Sequence, residues 1–166
     1  MEQYSLPPFL KNTLKEEVYK KWLQRKAMAH VRRDKKRGFQ KISISHYKKL
    51  IHRAVLESKG KDAYTDKKLN WKLISKYDNG KSKKLRYSYK KRFSNLPTID
   101  HETQNKKSPS FKICSWRIND LKNDLNLEEL LEECQHLIAH NRHQKVWSLF
   151  IIKIIVIFEQ RPLCFI

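Results

Sequence analysis

With 166 residues, 39% of them apolar and 33% charged, the chain can build one modest core under a heavily charged surface. Its 37 Lys and Arg against 17 Asp and Glu leave a formal charge of +20. A polyanion normally neutralises such an excess, nucleic acid first and an anionic membrane surface second. The only glycines, Gly38, Gly60 and Gly80, cannot supply a Gly-rich phosphate loop, and the cysteines Cys114, Cys134 and Cys164 form no CxxC pair for structural zinc.

The first ten residues read as an irregular arm, with Pro7-Pro8 setting an extended entry. A long helix is expected from Thr13 to Arg37, with Leu14, Val18, Trp22 and Ala29 near one stripe and Gly38 as its stop. Its later half is strongly basic, and Arg32, Arg33 and Lys36 are expected to contact nucleic acid. A second helix is expected from Ser45 to Ser58, where Tyr47, Leu50, Ile51, Ala54 and Val55 follow the amphipathic template.

Residues 59–95 read as irregular and polar, anchored by Tyr64, Leu69, Trp71, Leu73, Ile74 and Tyr77. Within them Lys81 to Arg92 is a basic run with two tyrosines, either a solvated loop or a nucleic-acid contact surface. Two strand-like runs follow, Leu96–Asp100 and Phe111–Trp116, joined by a polar loop from His101 to Ser110. A helix should start near Arg117. Asn126 and Glu129 then form a capping box for a further helix with Leu127, Leu130, Leu131, Cys134, Leu137 and Ile138 on one face, so that Cys134 packs in a core.

The tail changes style. Trp147 to Phe158 is apolar apart from Ser148 and Lys153. As a helix it would span about 18 Å, against about 30 Å for a bilayer core, so a transmembrane span is not expected. A strand, a buried helix, or a tail foreign to the domain remain open readings. An odd cysteine count with no signal peptide points to the reducing cytoplasm. The expected organisation is a basic helical region over 1–59, a core with its C-terminal helix over 60–143, and an apolar tail over 144–166.

The chemistry concentrates around Asp100-His101 and Asn119-Asp120-Leu121-Lys122. Phosphodiester hydrolysis needs an activated water, a counter-charge and help for the leaving oxygen. His101 can take the proton from water, because an imidazole titrates near neutrality. Asp100 can hold a hard divalent cation through oxygen, Mg²⁺ first and Mn²⁺ second, and Asn119 offers another oxygen. Lys122 and, through a bidentate fork, Arg117 can contact phosphate. Strand alternation sends Asp100 and His101 to opposite faces, so they converge only if the strand ends there and the chain turns. The remaining histidines, His30, His46, His52, His136, His140 and His143, are read as surface or core residues without acidic partners at ligand spacing.

Pro97-Thr98-Ile99-Asp100-His101, followed by Phe111-Lys112-Ile113-Cys114-Ser115-Trp116-Arg117-Ile118-Asn119 and Lys122, resembles the HNH endonucleases. The segment Ala63-Tyr64-Thr65-Asp66-Lys67-Lys68-Leu69 is similar to the Tyr-Thr-Gly lead-in of many members. The resemblance implies an α+β, mostly helical fold built on a ββα-metal finger of the zinc-rib-free type. It implies His101 as general base, Asp100 and Asn119 as metal ligands, and DNA as substrate. Ser110 stands where members carry the Asn that orients the His, no Pro follows Asp100-His101, and Asp66 replaces the lead-in Gly. Those departures suggest the alternative, a catalytically decayed, non-enzymatic nucleic-acid-binding protein. Peripheral membrane association through the tail and basic face is a third, weaker reading.

Overall fold

The computed structural model describes residues 4–40, 42–102 and 109–142. Trp147–Phe158, with the readings attached to it, and His143 lie outside the described residues. The fold is mostly helical with one two-stranded antiparallel hairpin, an α+β architecture. Its helices are α1 (Glu16–Lys36), α2 (Ile44–Ser58), α3 (Asn79–Arg92), α4 (Trp116–Lys122) and α5 (127–142). The strands are β1 (Pro97–His101) and β2 (Phe111–Ser115). Among the described residues no helix is long and apolar enough to cross a membrane.

The chain divides into two compact units, Met1–Leu121 and Lys122–Ile166. In the first, α1 packs on α2, α2 packs on β2, and both strands pair. The basic N-terminal helices and the hairpin therefore share one core, centred on Tyr19, Trp22, Leu23, Tyr47, Ile51, Val55 and Ile113.

The buried face of α1 differs from the expected stripe. It runs Tyr19, Leu23, Ala27, His30 and Asp34, with Trp22 and Val31 beside it, whereas Ala29 is exposed. The spacing is helical, but the stripe ends in a histidine and an aspartate, which an apolar pattern does not register. Gly38 stops the helix as expected, at φ +81°. α2 buries Tyr47, Ile51, Ala54 and Val55 and begins at Ser43, whose Oγ accepts from the His46 N–H at 3.1 Å.

The basic run after residue 79 is helical, not irregular. The Asp78 side chain caps α3 by accepting from the Lys81 N–H at 2.8 Å. Lys and Arg are good helix formers, and an aromatic cluster anchors the element: Tyr77, Tyr89 and Phe93, with ring centroids 4.9–5.6 Å apart. Arg86 (φ +44°) breaks its regularity.

The lead-in segment docks on the hairpin. The Ala63 N–H donates to the Ile113 carbonyl at 2.9 Å. The buried Asp62 carboxylate accepts from the N–H groups of Tyr64 (2.9 Å), Thr65 (3.2 Å) and Ser115 (2.7 Å). Asp66, which stands where the lead-in of the resembling family has Gly, adopts the left-handed conformation (φ +56°). Aspartate tolerates that region better than most residues.

In the second unit, the capping box forms: Asn126 Oδ1 accepts from the Glu129 N–H at 3.0 Å, and Glu129 Oε2 from the Asn126 N–H at 2.6 Å. Its expected core face, however, is uncovered by described residues. Leu127, Leu131, Leu137 and Ile138 are exposed, and Cys134 is exposed rather than packed. An apolar stripe specifies a face to be covered, but not what covers it.

Candidate active site

In register, β1 and β2 pair Pro97 with Ser115 and His101 with Phe111, so Asp100 and His101 end the first strand at the loop. They point to opposite faces, as strand alternation requires. Ser115 turns the chain into α4, its Oγ accepting from the Ile118 N–H at 3.2 Å. α4 thus starts at the Pro97 end of the hairpin, with the Trp116 N–H donating to the Leu96 carbonyl at 2.8 Å. Asn119 and Arg117 stand on α4, half-buried and exposed respectively, and Lys122 is its last residue.

His101 faces α1. Its Nε2 lies 2.8 Å from Asp34 Oδ2, and its side chain is only 13% exposed. The carboxylate oxygen accepts, so the proton at this contact sits on Nε2 and the neutral ring keeps its lone pair on Nδ1. The same Oδ2 accepts from the Tyr47 hydroxyl at 2.8 Å. Burial, followed by the Asp34 hydrogen bond, raises the Tyr47 pKa and keeps that hydroxyl a donor. Phe111, His30 and Phe39 flank the His101 ring at centroid distances of 4.9, 5.3 and 5.9 Å.

His30, one turn before Asp34, completes a group that the sequence reading missed. Its Nδ1 accepts from Arg33 Nη2 at 2.7 Å. Burial, reinforced by the Arg33 charge, pushes its pKa down to about 2, so the ring stays neutral. The expectation that His30 lacks an acidic partner at ligand spacing is corrected here: Asp34 is four residues on, on the same buried face. That i, i+4 spacing was the available signal. One ligand atom each from His30, Asp34 and His101 lie within 4.8 Å of one another.

Asp100, on the other face, accepts from the Tyr64 hydroxyl at 2.5 Å. Burial, followed by that hydrogen bond to Asp100, raises the Tyr64 pKa and keeps the phenol protonated. The lead-in tyrosine thereby braces the carboxylate. Ser110 serves Glu102: its carbonyl accepts from the Glu102 N–H at 3.0 Å, and its hydroxyl bonds the Glu102 carboxylate. Lys112 and Ser110 both hold the Glu102 carboxyl below the usual range, Lys112 more strongly. Lys112 Nζ lies 2.9 Å from Glu102 Oε1.

Arg32, Arg33 and Lys36 are exposed on α1. Arg32 lines an open groove of about 770 Å³ with Lys20, Lys21, Arg25 and Lys35, and Met28 forms part of its floor. Arg33 instead lies against His30. Compared with family models, with curated proteins and with solved structures, the chain matches none.

Proposed function

We propose that the protein is a metal-dependent endonuclease of the HNH type that hydrolyses DNA phosphodiester bonds. The observation that carries the reading is the Asp34–His101 contact at the end of the first strand of a strand–loop–strand–helix unit. It holds an oriented imidazole at the strand end, next in sequence to the Asp100 carboxylate on the other face, on a chain of charge +20. Asp34 fixes the tautomer, His101 Nδ1 takes a proton from the attacking water, the water oxygen bonds phosphorus, and the bond to the leaving sugar oxygen breaks. The donor set of Asp100 and Asn119, a carboxylate and an amide oxygen, fits Mg²⁺ or Mn²⁺ by hardness. When bound there, such an ion supplies charge stabilisation to the phosphate and the leaving oxygen. Lys122 and Arg117 on α4, and Arg32, Arg33 and Lys36 on α1, are the proposed phosphate contacts.

A second reading is favoured by the same burial. His101 is enclosed by Phe39 and Phe111, and the Asp100 carboxylate is engaged by Tyr64. A catalytically decayed nucleic-acid-binding protein would retain that packing without cutting. Plasmid nicking with Mg²⁺ or Mn²⁺, compared between the wild type and His101→Ala, separates the two. The nuclease reading expects chelator-sensitive cleavage that the variant loses while still binding DNA. Cleavage at equal rates in both proteins, or none with any divalent ion, overturns it.

A further inference from the structure

The His30–Asp34–His101 group is more than a scaffold for an imidazole. Asp34 is fully buried, yet its Oδ1 has no hydrogen-bond partner among the described residues. Among the described residues the nearest cation, Arg33 Nε, stands 3.9 Å from it, beyond hydrogen-bond reach. A buried carboxylate oxygen without a donor is costly, and the carboxylate that carries it is grouped with two imidazoles. Tyr47 and His101 both use Oδ2, so Oδ1 is the atom whose acceptor capacity is unspent.

We propose that His30, Asp34 and His101 bind one borderline divalent transition-metal ion, Zn²⁺ or Co²⁺, at a site distinct from the hard oxygen donors Asp100 and Asn119. Two imidazoles and one carboxylate are the donors such ions prefer, and three protein ligands leave a position for water. The 4.8 Å spread of the ligand atoms must contract at its widest to about 3.4 Å around a tetrahedral ion with bonds near 2.1 Å. His101, the least buried of the three, is the member able to move. Tyr47 keeps its bond to Oδ2 and holds the carboxylate from behind, the usual task of an outer-shell donor.

Arg33 decides the affinity. Its guanidinium stands at His30 Nδ1 and close to Asp34, with its side chain 47% exposed. It is the resident positive charge of the group, and a metal ion has to displace it towards solvent. Lys26 and Arg37 add further positive potential at His30.

On the nuclease reading, the transition-metal site and general-base action compete for His101. A metal on His101 Nε2 replaces the Asp34 contact that orients the ring, so Zn²⁺ at this site suspends general-base action even with Mg²⁺ present.

The test is a Co²⁺ titration of the full chain, followed by visible d–d absorption and by competition with Zn²⁺. One equivalent should bind with the bands of a four- or five-coordinate ion. Affinity should fall by about tenfold or more in His30→Gln and Asp34→Asn, and rise in Arg33→Ala. Circular dichroism establishes that each variant is folded. Should the buried variants unfold, the exposed Arg33→Ala decides alone: unchanged or weaker affinity overturns the site. So does a thiolate-to-cobalt charge-transfer band, which would put the ion on a cysteine, or the absence of saturable binding. Zn²⁺ should also arrest Mg²⁺-dependent cleavage at lower concentration in Arg33→Ala than in the wild type. Cobalt binding as described without any cleavage leaves the metal site standing and removes the nuclease reading. Cleavage without cobalt binding does the reverse.

Discussion

His101 and Asp34, 67 residues apart in sequence, meet through a 2.8 Å hydrogen bond that ties the hairpin to the basic helix. The contact fixes the imidazole between Phe39 and Phe111 and sets which ring nitrogen carries the proton. It makes α1 part of the candidate active site instead of a separate DNA-binding appendage.

Asp34 is a positioning residue under the nuclease reading, and Asp34→Asn should expose that role. The amide keeps the volume and can still accept from Tyr47, but it no longer enforces the Nε2–H tautomer. The cleavage rate should fall by about tenfold or more, with KM for DNA unchanged and the melting temperature only slightly lowered. A parallel change in KM, or a rate that simply tracks loss of folded protein, would give Asp34 a structural role alone.

Asp62→Ala should be among the most damaging single changes. It leaves the N–H groups of Tyr64, Thr65 and Ser115 without their common acceptor. The expected loss is about 3 kcal/mol or more in urea denaturation, and Asp62→Asn should recover part of it. A loss under about 1 kcal/mol would mean that water replaces the carboxylate at little cost.

Stability should decline in acid because of His30. Its folded pKa is depressed to about 2, below the ordinary histidine value of about 6.5. Between those values the unfolded chain binds the proton and the folded one does not. Stability attributable to the neutral ring is therefore present above about pH 6.5 and is lost progressively as pH falls, with a slope of up to about 1.4 kcal/mol per unit. Chemical denaturation of the wild type and His30→Gln, both with chelator, should show a shallower acid slope in the variant. Superimposable slopes would refute the assignment.

Nucleic-acid affinity should depend steeply on salt. Lys20, Lys21, Arg25, Arg32 and Lys35 line one groove on α1. If Arg32 and Lys35 each neutralise a phosphate, the double alanine variant should reduce the magnitude of the log K against log[salt] slope by about 1.8. Fluorescence anisotropy over a salt series reads this directly. An unchanged slope would move the contact surface elsewhere, with α3 the next basic element.

Much of the local structure was legible in the residues. The α2 stripe, the stop at Gly38, the hairpin strands to within a residue at each end, and the capping box at Asn126 all depend on neighbours in sequence. α3 escaped because a basic run carries no apolar period, and its helix depends on a cap at Asp78 and aromatics near its two ends. Cys134 was misplaced because the Leu-rich face of α5 implied a cover that the described residues do not supply.

By itself the sequence determined the ingredients: a charge of +20, a helix-rich chain, and an Asp-His pair ending a strand ahead of a loop, a second strand and a helix. Those follow from composition and from short-range periodicity. Only the tertiary structure decided that Asp100 is braced by Tyr64 and that His101 turns to Asp34 and His30 on a helix far upstream. The reason is physical: alternation sends adjacent strand residues to opposite faces, but which groups meet each face depends on how the helices pack, and a buried His and Asp resemble surface polarity until the helix carrying them is docked.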